Sequence, residues 1–152
     1  MAKCSVTLDD NDQLRMYKWM IKKLPTSING TYVYAVIFRD SVDEGDIYTR
    51  GIDYIRAWAQ LSKETVSKYL KDLTEKGLII KKEYYDQGRK FTGYCATDAW
   101  KKLEEEHEKE EAERRKDPKY KEYYEMEDQM MEGMRRIEED YNRRKMQAAS
   151  KI

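Results

Sequence analysis

The chain has 152 residues, which is enough for one modest domain and an appendage. Its 30 basic and 30 acidic residues cancel, so the overall charge by itself points to no class of partner. The two cysteines, Cys4 and Cys95, lack CxxC spacing, which argues against a zinc site and a disulfide framework. No apolar run has the length of a signal peptide or a membrane span, so we expect a cytoplasmic protein that does not contact membranes.

The composition changes near Thr97. Up to that residue the chain has 16 basic and 13 acidic residues and nine of its 13 tyrosines. After it, 14 basic and 17 acidic residues form almost continuous charge. We therefore predict a globular domain over residues 1–97 and a charged helical extension over residues 98–152. The small basic surplus of the first part is compatible with a nucleic-acid partner.

Apolar spacing predicts the first two helices. From Asp12 onward, apolar residues recur at intervals of three and four up to Pro25, which indicates an amphipathic helix: Leu14, Tyr17, Ile21 and Leu24. The segment TYVYAVIF, residues 31–38, is β-branched and aromatic, which favours a strand, but its pattern also suits a buried helix. We favour the helix, because the helices that follow need a third helix to pack against. Residues 46–48 could form a very short strand.

Two further helices are predicted with a tight turn between them. GIDYIRAWAQ, residues 51–60, forms the first, with Ile52, Ile55 and Ala59 directed inward. The second runs from the N-cap residue Ser62 to the C-cap residue Gly77. One stripe of this second helix is apolar, and it is formed by Val66, Leu70 and Leu73.

After Gly77 the apolar period changes from 3.6 to 2. LIIKKEYY and KFTGYCAT read as two strands on either side of the turn DQGR, a β-hairpin rich in Lys and Arg. The order is therefore helix, turn, helix and basic hairpin.

GIDYIRAWAQLSKETVSKYLKDLTEKGLI with the basic hairpin resembles the winged helix-turn-helix domain of bacterial, phage and plasmid proteins. The similarity is to the N-terminal domains of phage replication initiators (replisome organisers) and, more distantly, to MarR-type regulators. It covers residues 12–97 and does not include the tail. Two positions depart from the family pattern: Arg56 replaces a residue that is commonly small, and Gln60 stands where Gly often makes the turn.

The resemblance implies a mainly α fold with a small β-hairpin wing, and duplex DNA as the partner. It places a recognition helix, about residues 63–76, in the major groove, with a basic wing at about residues 78–96. Lys donates to guanine, and Ser or Thr serves several bases. Thr49 and Arg50 suit a phosphate at the start of the first motif helix. The other expected contacts are Lys63, Thr65, Ser67, Lys68, Lys71, Lys81, Lys82, Arg89 and Lys90.

The implied role is replication initiation or transcription regulation, and the alternative is a winged helix that binds proteins without binding DNA. Glu64 and Asp72 would repel phosphate if both faced it, and we expect Asp72 to point sideways. The only histidine, His107, lies in a run of charges. We expect no catalytic residue, metal ligand or cofactor, because no nucleophile with a base, phosphate-binding Gly loop or ligand cluster occurs.

The tail reads as two helices that meet at Asp117-Pro118, because Pro is tolerated at the start of a helix. Apolar residues of the second helix recur at threes and fours, interrupted by Glu127: Tyr120, Tyr123, Met130, Met134, Ile137 and Tyr141. This heptad-like spacing predicts a homodimer through the tail, which would suit a two-fold DNA site; packing on the domain and a solvated helix are the alternatives. The tail could also bind a replication or transcription protein.

Overall fold

The computed structural model describes residue 8 and residues 12–150. It divides into two compact units, Met1–His107 and Glu108–Ile152. The composition boundary predicted after Thr97 lies two residues before a helix that begins at Ala99 and runs through the division between the units. Cys4 lies outside the described residues.

The first predicted helix is shorter than the apolar spacing indicated. Helix α1 spans Lys18–Lys23, and residues 12–17 have no regular structure, so Asp12 does not cap it. Ile21, expected on the buried stripe, is 53% exposed, whereas its neighbours Trp19 and Met20 are buried. The carbonyl of Gln13 accepts a hydrogen bond from Arg39 Nη1 at 2.7 Å. This tertiary contact and the burial of Trp19 replace the longer helix.

Residues 31–38 are helical, as we predicted. Helix α2 spans Ile28–Phe38 and continues as a π-helical turn, Arg39–Asp43. Ser27 caps it by accepting a hydrogen bond from the amide of Gly30 at 3.3 Å. The helix is buried nearly all round, and this explains its strand-like composition: a central helix needs apolar residues on every face, and β-branched and aromatic residues supply them.

The helix-turn-helix is formed as expected. Helices α3, Gly51–Ala59, and α4, Lys63–Glu75, flank a turn in which Gln60 adopts a left-handed conformation with φ of 54°. Ser62 caps α4 by accepting from the amide of Thr65. At the other end the amide of Leu78 donates to the Leu73 carbonyl and that of Gly77 to the Thr74 carbonyl, a Schellman motif that needs the positive φ of Gly77.

The predicted hairpin follows directly. Strands β1, Ile79–Asp86, and β2, Arg89–Ala96, pair antiparallel with Asp86 opposite Arg89. The two-residue turn, Gln87 and Gly88, has positive φ at both positions, which matches the right-handed twist of the strands. The short strand considered at residues 46–48 is a single bridge, in which Tyr48 pairs with Tyr94 on the other edge of β2.

This arrangement is a winged-helix-like layout: mainly helical, with a two-stranded wing after the helix-turn-helix. The core joins Ile55 of α3 and the apolar stripe of α4 to α2 and to Ile79 of the wing. Two edge-to-face contacts of the Trp19 ring, with Tyr34 and Phe38, close the core on the side of α1.

Two long helices follow the wing. Helix α5 spans Ala99–Lys116 and helix α6 spans Lys121–Ser150, and a 3-10 turn, Pro118–Tyr120, joins them. The predicted break at Asp117-Pro118 is confirmed: Asp117 caps the turn by accepting from the amide of Lys119 at 3.0 Å. Within the described ranges no helix is both long and apolar enough to cross a bilayer.

Candidate nucleic-acid interface

The outer face of α4 carries four of the predicted contacts. Lys63, Ser67, Lys68 and Lys71 are exposed, because the opposite stripe of the helix, Val66, Leu70 and Leu73, is buried in the core. In the part of the chain that the structure describes, none of these three lysines forms an ion pair. Their ammonium groups are therefore available to an anionic partner.

Thr65 differs from its neighbours. It is half-buried, and its hydroxyl lies 2.8 Å from the hydroxyl of Ser62. The Thr65 amide also donates to the Ser62 hydroxyl at 3.2 Å. This predicted base contact therefore takes part in capping α4.

Carboxylates share the outer face of α4 with the lysines. Asp72 is half-buried and lies 3.0 Å from Lys76 Nζ, so that its charge is paired along the helix. Glu64 and Glu75 are exposed, and their spacing from Lys68 and Lys71 places all four on one stripe. The face is mixed in charge, and Glu75 was not considered in the sequence analysis.

The basic residues of the wing lie on two different faces. Cross-strand partners share a side of a sheet, and the register pairs Lys81 with Tyr94 and Lys90 with Tyr85. Lys82 and Arg89 occupy the opposite side, where Arg89 is opposite Asp86. All four are exposed, but Lys90 lies 2.9 Å from Glu83. One flat surface cannot contact all four together.

A cleft of about 480 Å³ separates α4 from the wing and brings three predicted residues together, Ser67, Lys71 and Lys81. Its apolar lining comes from Ile52 and Leu70, and it is completed by Thr74, Glu75 and Tyr94. Burial raises the pKa of the Tyr94 hydroxyl. This group is protonated at neutral pH and can donate a hydrogen bond into the cleft. Sequence reasoning missed Tyr94, although its position in β2 opposite Lys81 follows from the hairpin register.

Arg50 precedes α3, as the phosphate prediction requires, but its guanidinium is partly engaged. Its Nε lies 2.9 Å from Oδ2 of the buried carboxylate of Asp40, and its Cζ lies 4.9 Å from the centre of the Tyr54 ring. Burial lowers the pKa of Arg50, but the hydrogen bond and ion pair with Asp40 outweigh it, and the net change is upward. Thr49 is exposed beside it.

A second cleft of about 350 Å³ lies beside Arg50 and contains two arginines that sequence reasoning did not single out, Arg15 and Arg39. Each of the three side-chain nitrogens of Arg39 donates a hydrogen bond, to the Asp40 carboxylate, the Gln13 carbonyl and the Tyr54 hydroxyl. The walls also carry Asp12 and Glu44. Because of these acidic residues and the bonds of Arg39, the cleft is chiefly a structural junction, with Arg50 at its edge.

Among residue 8 and residues 12–150, no group of three His, Cys, Asp or Glu residues is close enough together to hold a metal ion. His107 is buried, although its sequence neighbours are charged.

No protein-family model matches the chain. The curated proteins include no match either. Among solved structures, Stf76 from the Sulfolobus islandicus plasmid-virus pSSVx is similar, with 23% identity over 47% of this chain and 92% of that protein. The TM-score is 0.33, which does not establish a common fold.

Proposed function

We propose that the chain binds duplex DNA, with α4 in the major groove and the wing against the adjacent backbone. The observation that carries the proposal is the group of exposed lysines on and beside α4: Lys63, Lys68 and Lys71 lie on its outer face, and Lys71 and Lys81 line the cleft. Acidic residues lie among them, but these ammonium groups can contact phosphates and displace their counterions.

The acidic residues of α4 favour a particular docking. Glu64 and Glu75 stand near the two ends of the helix, on the stripe that carries Lys68 and Lys71. In the major groove, carboxylates can accept from cytosine amino groups, while lysines donate to guanine. The mixed face is therefore better suited to reading base edges than to binding phosphates alone, and it favours sequence-specific binding.

The test is fluorescence anisotropy with a random duplex of about 30 base pairs over a salt series. We expect Lys63→Ala/Lys68→Ala to weaken binding and to reduce the salt slope by about one for each lost phosphate contact. Lys22→Ala/Lys102→Ala removes the same charge from exposed positions outside α4 and the wing, and should leave binding nearly unchanged. Absence of binding by the wild type at low salt would refute the proposal.

For the biological role, we propose replication initiation or transcription regulation. Both roles require duplex binding, and they differ in the site that is bound. Footprinting on the protein's own promoter and on a replication origin separates them: protection of the promoter favours a regulator, and protection of the origin favours an initiation factor.

A protein-binding winged helix is the second candidate, and the exposed apolar residues of the wing favour it. Tyr85 is 71% exposed, and Ile80 and Phe91 are also exposed. Nucleic-acid interfaces of this kind are polar and positively charged, so apolar side chains at these positions fit a protein surface better. Recovery of a stoichiometric protein from nuclease-treated lysate, lost on Tyr85→Ser, would favour this function.

A further inference from the structure

Helix α6 carries an apolar stripe that is open to solvent. Its most exposed members include Ile137 at 72% and Tyr141 at 64%, and the stripe also contains Tyr123, Met130 and Met134. Eight positions recur along this stripe at intervals of three and four residues, and together they are called the seam: 123, 127, 130, 134, 137, 141, 144 and 148. The seam is roughly 38 Å long at about 1.5 Å per residue, sufficient for a short two-stranded coiled coil.

Two charged residues occupy seam positions, and their placement is symmetric. Glu127 is the second position from the N-terminal end, and Arg144 is the second from the C-terminal end. Arg144 is exposed, whereas Glu127 is half-buried and its charge already interacts with Arg115 of its own chain. The midpoint between them lies between residues 135 and 136, which is also the midpoint of the whole seam. Opposite charges at equal distances from the centre suit two helices that run in opposite directions.

We propose that a second copy of this chain covers the seam, with its α6 antiparallel to the first. The alignment that superposes the two midpoints sets Glu127 opposite Arg144 of the second copy, and Arg144 opposite Glu127 of the second copy. Met134 then lies opposite Ile137 and Met130 opposite Tyr141. At the ends, Tyr123 meets Ala148, so that a large side chain faces a small one.

Other alignments place charges badly. A parallel, in-register pair sets Glu127 against Glu127 and Arg144 against Arg144 within the seam, where like charges repel. An antiparallel pair shifted by one heptad sets Glu127 against Ile137 or Arg144 against Met134, so that the charge match between the two helices is lost. Among these arrangements, only the centred antiparallel pair matches both charges, and this selects its direction and register.

The flanks of the seam allow the same pairing. Met131 lies opposite Glu138 of the second copy, and Gly133 opposite Asp140, so that no like charges meet. Arg144 is 3.0 Å from Asp140 of its own helix and its side chain is 78% exposed, which leaves the guanidinium accessible to a second carboxylate.

The remainder of α6 disfavours a membrane surface as the occupant. The helix has six basic and eight acidic residues, and many are tied in local ion pairs, such as Arg136 with Glu132 and Arg143 with Asp140. Amphipathic helices that bind anionic membranes have a polar face rich in Lys and Arg. A net negative helix is repelled by such lipids.

The proposal can be tested by exchanging the two charges in the full chain and measuring the dimer dissociation constant by sedimentation equilibrium up to high micromolar concentration. We expect the wild type to dimerise. Glu127→Arg and Arg144→Glu should each weaken dimerisation at least about tenfold, because each substitution sets like charges opposite one another at both 127–144 pairings of the dimer. The double variant Glu127→Arg/Arg144→Glu should restore it. A monomeric wild type, or a double variant no tighter than both single variants, would overturn the proposal.

Disulfide trapping tests the direction independently, with Cys4 and Cys95 replaced by Ser. Tyr123→Cys and Ala148→Cys should each remain uncrosslinked alone under a glutathione redox buffer, and an equal mixture should form the mixed dimer. A crosslink in either variant alone means a parallel pair, because a disulfide requires Cα atoms within about 7 Å, and overturns the proposal. The result does not depend on DNA binding, so either proposal can fail without the other.

Discussion

Asp40 and Arg50 form an ion pair that links the end of α2 to the start of the helix-turn-helix. Arg50 Nε lies 2.9 Å from Asp40 Oδ2, and the Asp40 carboxylate is only 5% exposed. Its other oxygen, Oδ1, accepts from Arg39 Nε at 3.2 Å. One buried carboxylate therefore holds two arginines, and through them it positions the segment that precedes α3.

Loss of this carboxylate should destabilise the fold. Asp40→Ala leaves the guanidinium of Arg39, 14% exposed, without its acidic partner. We expect a loss of about 3 kcal/mol in the free energy of unfolding, at the lower end for a broken buried pair because Arg50 is nearly half exposed. Urea denaturation measures it. Arg50→Ala is the control and should cost less, because Asp40 keeps Arg39; equal losses would contradict this assignment.

Gly93 is required by the close approach of the chain before α3. A Cβ at this position would lie 2.5 Å from Ile47 Cγ2 and 2.7 Å from the Tyr48 carbonyl oxygen. The backbone cannot yield without weakening the Tyr48–Tyr94 bridge, so Gly93→Ala should cost about 1–3 kcal/mol.

The matched control for Gly93 is Gly133→Ala, because a Cβ at Gly133 in α6 meets nothing within 4 Å. That substitution should stabilise the helix by roughly 0.5–1 kcal/mol. Thermal unfolding of both variants decides the point, and an unchanged Tm for Gly93→Ala would show that the sheet yields at no cost.

The elements that sequence analysis predicted correctly depend on local signals. Ser62, Gly77 and the Gln87-Gly88 turn satisfy backbone groups within a few residues, so their chemistry is readable without the fold. The predicted length of the first helix was wrong. The Gln13 carbonyl, which would accept a backbone hydrogen bond in a longer helix, accepts one from Arg39, 26 residues away. No local pattern contains that contact.

The site was only partly predictable for the same reason. The exposure of the α4 lysines could be predicted from the periodicity of the helix. The cleft could not be predicted, because its formation depends on how the wing packs beside Leu70. The division of the wing residues between two faces could be read from the sequence, because Lys81 and Lys82 are adjacent in a strand and the period of two places them on opposite sides.

Gln60 adopts a conformation that Gly would accept more readily. Its φ of 54° belongs to the left-handed region, which Gly adopts without a steric penalty. Gln60→Gly should raise the free energy of unfolding by about 1 kcal/mol, because the Cβ no longer opposes the turn. Gln60→Ala retains the Cβ and should give no such gain. Denaturant midpoints of the two variants provide the comparison, and equal midpoints would locate the strain elsewhere.

The two faces of the wing allow a direct test of the proposed mode of DNA binding. Lys81 lines the cleft beside α4, whereas Lys82 lies on the opposite side of the hairpin. Both are exposed lysines in the same strand, so Lys81→Ala and Lys82→Ala remove the same charge from adjacent positions. If the backbone of the duplex lies between α4 and the wing, Lys81→Ala should weaken binding several-fold and reduce the salt slope by about one.

Lys82→Ala should then change the affinity much less, because its ammonium points away from the cleft. Anisotropy over the same salt series measures both variants, and circular dichroism checks that each is folded. Equal weakening would mean that the tip of the wing is inserted into a groove, where both faces meet phosphates. A larger effect of Lys82 would place the duplex on the outer face of the hairpin and would contradict the role given to the cleft.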